Sequence, residues 1–170
     1  MTTIRKKTLW SDLALRRRAW RPDPRTARRA GWTSAAALAG IAGIHLAWAL
    51  GWRWPGHDDA TLAQRVVGPN SELPSAGLTY VVAGLLVAAA GAVGAATVDD
   101  RRLPRLAAWG VAGVLGARGV AGAGSAVAAG FDEIYWTLEL AVYAPLCLAL
   151  AAGAGLAAQS SFARSASIAG

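Results

Sequence analysis

The sequence predicts an all-α integral membrane protein, a four-transmembrane-helix bundle preceded by a basic N-terminal cytoplasmic tail. Two observations carry this prediction. Hydrophobic residues make up 55% of the 170-residue chain and charged residues only 16%, whereas about a quarter of an ordinary soluble domain is charged. The apolar residues also form four long blocks that reach or approach the ~20 residues of a membrane-spanning helix. These blocks leave almost nothing from which to build a soluble core.

Residues 1–30 are predicted to form the basic tail. They hold ten of the 17 Lys and Arg residues. Such a stretch is typical either of an amphipathic helix on the inner leaflet or of an unstructured basic segment, and both alternatives stay open. Because the positive charge is juxtamembrane, its expected partner is anionic lipid rather than nucleic acid. The candidate lipid-surface residues are Arg16, Arg17, Arg18, Arg28 and Arg29.

Residues 31–158 are predicted to form the four-span membrane domain, and residues 159–170 a short cytoplasmic tail. The spans are expected at about residues 32–51, 76–98, 106–129 and 138–158. The first connection, residues 52–75, is rich in Pro and Gly and is expected to be polar and irregular. Small residues at spacing four in the first and third spans predict close helix packing. These stripes are Ala35, Ala39 and Gly43, and Gly113, Ala117, Ala121, Ser125 and Ala129.

The distribution of positive charge predicts the orientation. The N-terminal tail holds ten Lys and Arg residues, the second connection, residues 99–105, holds three and the C-terminal tail one, whereas the other side carries only Arg53 and Arg65. Positively charged loops stay in the cytoplasm. We therefore expect a multi-pass protein of the bacterial cell (inner) membrane, with cytoplasmic N- and C-termini.

Polar side chains within the spans form the candidate site. They are His45, Tyr80, Arg118, Glu139 and Tyr143. Arg118 lies near the middle of the third span, where a guanidinium needs a partner, a water-filled cavity or a route to the surface. The other four fall in the outer half of the membrane. We expect an Arg118–Glu139 ion pair, with His45 and a Tyr hydroxyl satisfying the remaining polar groups. Such a cluster either fixes the third span against the fourth or lines an outward-facing pocket.

Other chemistry is not indicated. Cys147 is the one cysteine, so it cannot form an intrachain disulfide, and no Cys/His cluster has metal-ligand spacing. We expect no metal and no cofactor, and no catalytic arrangement is recognisable. Pro145, one turn after the cluster, removes a helical hydrogen bond and tends to kink the fourth span.

Three segments carry a resemblance to a known family. They are the run from Ile44 to Gly51 (IHLAWALG), Ala117-Arg118-Gly119, and the run from Glu139 to Leu148 (ELAVYAPLCL). Together they resemble the motifs of the small four-span bacterial membrane proteins of domain of unknown function 3995, over about residues 31–158. The chain departs from the family pattern at Trp52, Glu139 and Ala144, and its segment between Arg118 and Glu139 is shorter. The resemblance implies four spans and no established activity.

The sequence leaves the function open between three hypotheses, ranked in this order. The first is a structural or partner subunit in the cell membrane, associated with another membrane protein or with further copies of itself. The second is binding or enzymatic handling of a lipophilic or anionic small molecule in an outward-facing pocket around Arg118. The third is a small permease component. Whether the protein is an enzyme stays undecided.

Overall fold

The structure, a computed structural model, describes residues 23–168, with side chains described up to Gln159. Its helices are α1 (Pro24–Ala49), α2 (Asp59–Val66), α3 (Ala76–Val98), α4 (Arg102–Ala129), α5 (Ile134–Leu138) and α6 (Ala144–Ile168). A π-turn, Glu139–Tyr143, joins α5 to α6. No β-strand occurs in residues 23–168. The prediction of an all-helical fold is therefore confirmed.

Four helical stretches are long and apolar enough to cross a membrane: α1, α3, α4 and the continuous stretch Ile134–Gln159. They pack as a bundle in which α1 contacts α3 and α6, while α4 contacts α3 and α6. Helices α1 and α4 lie on opposite corners and do not touch. The core contains Leu38, Val93 and Leu150, surrounded mainly by alanines. The prediction of four span-like helices agrees with this architecture.

Close helix packing depends on individual glycines rather than on the predicted stripes. A Cβ at Gly31 would lie 2.5 Å from Thr97 Cγ2, and one at Gly119 would lie 2.7 Å from Leu148 Cγ. The predicted α1 stripe is only partly a packing face, because Ala35 is buried in the core whereas Ala39 and Gly43 are exposed. All five members of the α4 stripe are exposed too. At 3.6 residues per turn, residues spaced by four drift around the helix by about 40° per step, so such a stripe leaves the contact face.

Helix α1 begins well before the predicted first span. Asp23 caps it, since its carboxylate accepts a hydrogen bond from the Thr26 N–H at 3.1 Å. Pro24 occupies the first helical position, where a missing N–H costs nothing. Arg28 and Arg29 are consequently exposed residues of α1 rather than part of a separate tail. Arg16, Arg17 and Arg18, and the predicted tail helix, lie outside the described residues.

The first connection is not irregular throughout, because residues 59–66 form α2. Asp58 and Thr61 make a reciprocal capping box at its start, a device that satisfies two otherwise unpaired backbone donors. The hydrogen bond from the Thr61 N–H, 2.8 Å from Asp58 Oδ1, is the main cause of a lowered pKa of the Asp58 carboxyl. Leu62 and Ala63 are fully buried and hold α2 against the bundle.

The fourth helical stretch begins at Ile134, four residues before the predicted span. Gly130, with φ +82°, ends α4 in a conformation that favours glycine. The π-turn then accommodates one extra residue per turn directly before Pro145. Within it, the Ala144 N–H bonds to the Glu139 carbonyl, five residues back. The predicted irregularity near Pro145 thus takes the form of a π-turn.

Candidate functional site

Arg118 and Glu139 form a bidentate ion pair between α4 and the π-turn. Arg118 Nη1 donates to Glu139 Oε1 at 2.5 Å, and Nη2 donates to Oε2 at 2.7 Å. The two side chains differ sharply in burial: Glu139 is 1% exposed and Arg118 is 44% exposed. Two parallel bonds fix the plane of the guanidinium as well as its position. The buried carboxylate therefore holds the arginine with part of its surface free.

Gly122 makes room for this pair. A Cβ at Gly122 would collide with Glu139 Oε1 and Arg118 Nη1, and would lie 2.8 Å from Glu139 Cδ. The neighbouring Gly124 has nothing within 4 Å of the same hypothetical atom. The carboxylate and guanidinium thus occupy the space that a side chain at residue 122 would fill.

A cavity of about 640 Å³ opens beside Arg118 at one end of the bundle. Its walls come from the end of α1, from residues 53–75, from the first half of α3, and from Arg118 and Tyr135. The lining residues are His45, Trp48, Ala49, Arg53, Asp59, Val66, Val67, Leu73, Pro74, Ser75, Ala76, Thr79, Val82, Arg118 and Tyr135. Such a volume is in the range of pockets that enclose drug-sized ligands.

His45 shares the cavity wall with Arg118. Its Nδ1 lies 2.9 Å from the Ile41 carbonyl oxygen, and its ring centroid lies 4.9 Å from that of Trp48. A carbonyl oxygen can only accept, so Nδ1 carries the hydrogen and Nε2 of a neutral imidazole is left as an acceptor. His45 is therefore held by its own helix and does not complete the hydrogen bonding of Arg118 as we expected.

The two tyrosines of the predicted cluster lie elsewhere. The Tyr143 hydroxyl donates to the Arg65 carbonyl oxygen at 3.1 Å, which ties the π-turn to α2. Tyr80 is 44% exposed and is not among the residues that line the cavity. Of the five predicted residues, Arg118 and Glu139 are therefore in direct contact, and His45 lines the same cavity as Arg118. Tyr143 and Tyr80 make no hydrogen bond to Arg118 among the described contacts.

Residues 50–75, named here the cover segment, supply part of the cavity wall at the end of the bundle where α1 ends and α3 begins. Arg53 forms an ion pair with Asp59 within this segment. Arg65 Nη1 donates to the Pro55 carbonyl at 2.6 Å, and Trp48 Nε1 donates to the Trp54 carbonyl at 2.8 Å. The contacts of Arg53 and Arg65 lie within the cover segment. The bonds from Trp48 and Tyr143 connect the segment to α1 and to the π-turn.

A family model described as "Protein of unknown function (DUF3995)" matches residues 38–154, well over half of the chain. The chain belongs to this family. The resemblance recognised from the three motifs is thereby confirmed. The matched region contains the Arg118–Glu139 pair and every described residue that lines the cavity. No curated protein and no solved structure gives a significant match to the chain.

In this DUF3995 protein, sequence reasoning missed three ionisable residues of the cavity wall, Tyr135, Arg53 and Asp59. Tyr135 was placed in a loop, yet it stands four residues before Glu139 on one continuous helical stretch. Its ring lies 6.4 Å from that of Tyr143, and its phenol is within interaction range of both members of the ion pair. Arg53 and Asp59 lie in the connection that was predicted to be polar and irregular. The capping box at Asp58 and Thr61 was the available signal for the helix that positions Asp59.

The described residues offer little for metal chemistry. No three His, Cys, Asp or Glu side chains come together as a metal site in the part of the chain with described side chains. Cys147 is a half-buried free thiol on α6. What the arrangement does provide is a fixed guanidinium, an imidazole and both apolar and polar wall residues around a partly open cavity.

Proposed function

We propose that this protein binds a small lipophilic or anionic molecule from the outer half of the cell membrane, in the cavity around Arg118. The observation that carries this proposal is the asymmetric burial of the ion pair. Glu139 is 1% exposed, whereas Arg118 is 44% exposed and is one of the residues that line the cavity. A pair that served only to fix α4 against α6 gains nothing from an exposed guanidinium, since solvent contact weakens the attraction.

Membrane insertion is supported by the outward faces of the helices. Large apolar side chains are exposed along α3 and α4, such as Leu85 at 65%, Val114 at 71%, Val120 at 66% and Val127 at 67%. A water-soluble monomer rarely exposes apolar patches of this extent, whereas lipid tails cover them without cost. The protein is accordingly proposed as a multi-pass protein of the bacterial inner membrane.

The orientation is proposed from the charges at the two ends of the bundle. Exposed arginines cluster where α1 and α4 begin, at Arg25, Arg28, Arg29, Arg101 and Arg102. The positive-inside rule places this end, and both termini, in the cytoplasm. The basic residues there suit anionic lipid headgroups. The cavity and the cover segment then face outward.

Cysteine labelling tests this orientation. With Cys147 replaced by Ser, a membrane-impermeant maleimide should label Glu72→Cys in intact cells. Arg102→Cys, at the opposite end, should react only after the cells are permeabilised. Labelling of Arg102→Cys alone in intact cells would reverse the proposed orientation.

Ligand binding is tested with the purified protein in lipid nanodiscs, using radiolabelled decanoate and methyl nonyl ketone as probes. Ala49→Trp places an indole in the cavity, because Ala49 lines it. Ala39→Trp is the matched control, since Ala39 is an exposed residue of the same helix. We expect a saturable component for at least one probe in the wild type and in Ala39→Trp, and its loss in Ala49→Trp. Equal uptake by all three proteins would favour a purely structural or partner-subunit role.

A further inference from the structure

We propose that the cavity selects an uncharged lipophile bearing an acceptor oxygen, such as a ketone, ester or amide carbonyl, and that it rejects anions. This inference rests on the proposed function and names the class of its ligand. It follows from the charges and the hydrogen-bond donors that the described residues present to the cavity.

The charges around the cavity are already balanced. Of the described residues that line it, Arg53, Asp59 and Arg118 are charged at neutral pH. Arg53 is paired with Asp59, and Arg118 is paired with the buried Glu139 behind it. Two cations therefore face two anions, and the arrangement has no net positive charge left to neutralise an anionic ligand.

An anion in this place would be expensive to bind. Its headgroup would lose its hydration, while the nearest guanidinium stays committed to Glu139 through two hydrogen bonds. Burying a charge without a compensating partner costs far more than burying a hydrogen-bonded neutral group. If the ligand displaced Glu139 from Arg118, a carboxylate that is 1% exposed would be left unpaired, and that is also strongly unfavourable.

A neutral acceptor has no such difficulty. A guanidinium carries five N–H donors, and the described residues accept from two of those on Arg118. The other N–H donors of Arg118 belong to a side chain that is 44% exposed and lines the cavity. A carbonyl oxygen has two lone pairs and can accept from this group without changing the charge balance. Hydrogen bonds to a charged donor are stronger than those between neutral groups.

The remaining walls suit an apolar body attached to such an oxygen. Val66, Val67, Leu73 and Val82 face the same volume as Arg118. Apolar and polar groups contribute about equally to the wall, and small-molecule sites combine apolar walls with polar groups that fix the orientation of the ligand. The cavity therefore matches a molecule with one polar oxygen end and one hydrocarbon end.

Three probes of similar length separate the possible ligand classes: methyl nonyl ketone, undecane and decanoate. Binding of each probe is measured on the wild-type protein in nanodiscs. Binding to Ala49→Trp, whose cavity is filled, is subtracted as background, and free probe concentrations are corrected for partition into empty nanodiscs. At about pH 8, we expect the ketone to bind roughly 10-fold more tightly than undecane, and more tightly than decanoate by roughly 10-fold or more. A 10-fold difference in affinity corresponds to about 1.4 kcal/mol. Removing both charges in Arg118→Leu/Glu139→Leu should abolish the preference for the ketone over undecane.

The pH dependence supplies a second readout. Decanoate should enter only as its protonated acid, so its apparent affinity should rise by about tenfold for each unit of pH lowered between about pH 8 and pH 6. Binding of the ketone, judged against undecane as a further neutral probe, should not show this slope. Saturable decanoate binding tighter than that of the ketone would overturn the ligand class while leaving the proposed function intact. Absence of a saturable component for all three probes would overturn both.

Discussion

Replacing Gly122 with Ala should dislodge the Arg118–Glu139 pair and destabilise the protein. The new methyl group would collide with atoms of both side chains. Overpacking of this kind costs about 1–3 kcal/mol, and loss of a bidentate contact to a carboxylate that is 1% exposed adds to it. The higher helix propensity of Ala offsets about 1 kcal/mol of this destabilisation. We therefore expect a net loss of roughly 1–3 kcal/mol in the free energy of unfolding.

Two matched controls separate this collision from the general effect of a glycine substitution. Gly113 and Gly124 lie on the same helix as Gly122, and a Cβ at either would meet nothing within 4 Å. Gly113→Ala and Gly124→Ala should be neutral or more stable by up to about 1 kcal/mol, because Ala favours the helix. The opposite signs are the diagnostic result. Unfolding in mixed micelles, titrated with a denaturing detergent and followed by circular dichroism, measures all three variants. If Gly122→Ala proved as stable as Gly124→Ala, the collision and the importance of the pair for stability would both be refuted.

Three further predictions follow from the site and its cover. Arg118→Leu alone should destabilise the fold by about 3–5 kcal/mol because it strands the Glu139 carboxylate, which is 1% exposed, whereas Arg118→Leu/Glu139→Leu should be close to neutral; a double variant as unstable as the single one would contradict this. Tyr143→Phe should lower the free energy of unfolding by about 0.5–1.5 kcal/mol, because the hydrogen bond to the Arg65 carbonyl is lost. It should also speed proteolysis of the cover segment, and an unchanged cleavage rate there would show that this bond does not hold the segment in place. The lowered pKa of Asp58 stabilises α2 above the ordinary carboxyl pKa, so the cap should be lost as the pH falls below about 4. Nuclear magnetic resonance of the α2 amides should show fraying in that range for the wild type and not for Asp58→Asn, which keeps a capping oxygen at every pH.

The four long helices could be predicted because lipid requires uninterrupted apolar length, which the blocks display directly. The partnership of Arg118 with Glu139 was predictable for a related reason, since Glu139 is the one carboxylate within the predicted spans. The start of α1 was missed because Arg28 and Arg29 were treated as an end of apolar sequence. In the structure their side chains are exposed, and the backbone continues as a helix beneath them.

The cavity could not be predicted in the same way. Its walls come from α1, α3, α4 and residues 53–75. No local sequence pattern predicts that α1 and α4 lie at opposite corners of the bundle. The partner of Tyr143 is a backbone carbonyl of α2, at Arg65. A carbonyl oxygen is present at every residue, so sequence chemistry cannot single one out. The Tyr143 hydroxyl therefore bonds to α2 instead of joining the Arg118–Glu139 pair.

The π-turn, residues 139–143, gives one short segment two mechanical tasks. Its first residue pins the guanidinium in the floor of the cavity, and its last residue tethers the cover segment at the mouth. A π-turn holds one residue more than the α-helical winding around it. If the same residues were wound as a regular α-helix, the register would shift by one residue and Glu139 would turn by about 100° relative to α6, which would detach the floor or the cover from its anchor. The positions of both anchors thus depend on the one extra residue that the π-turn holds.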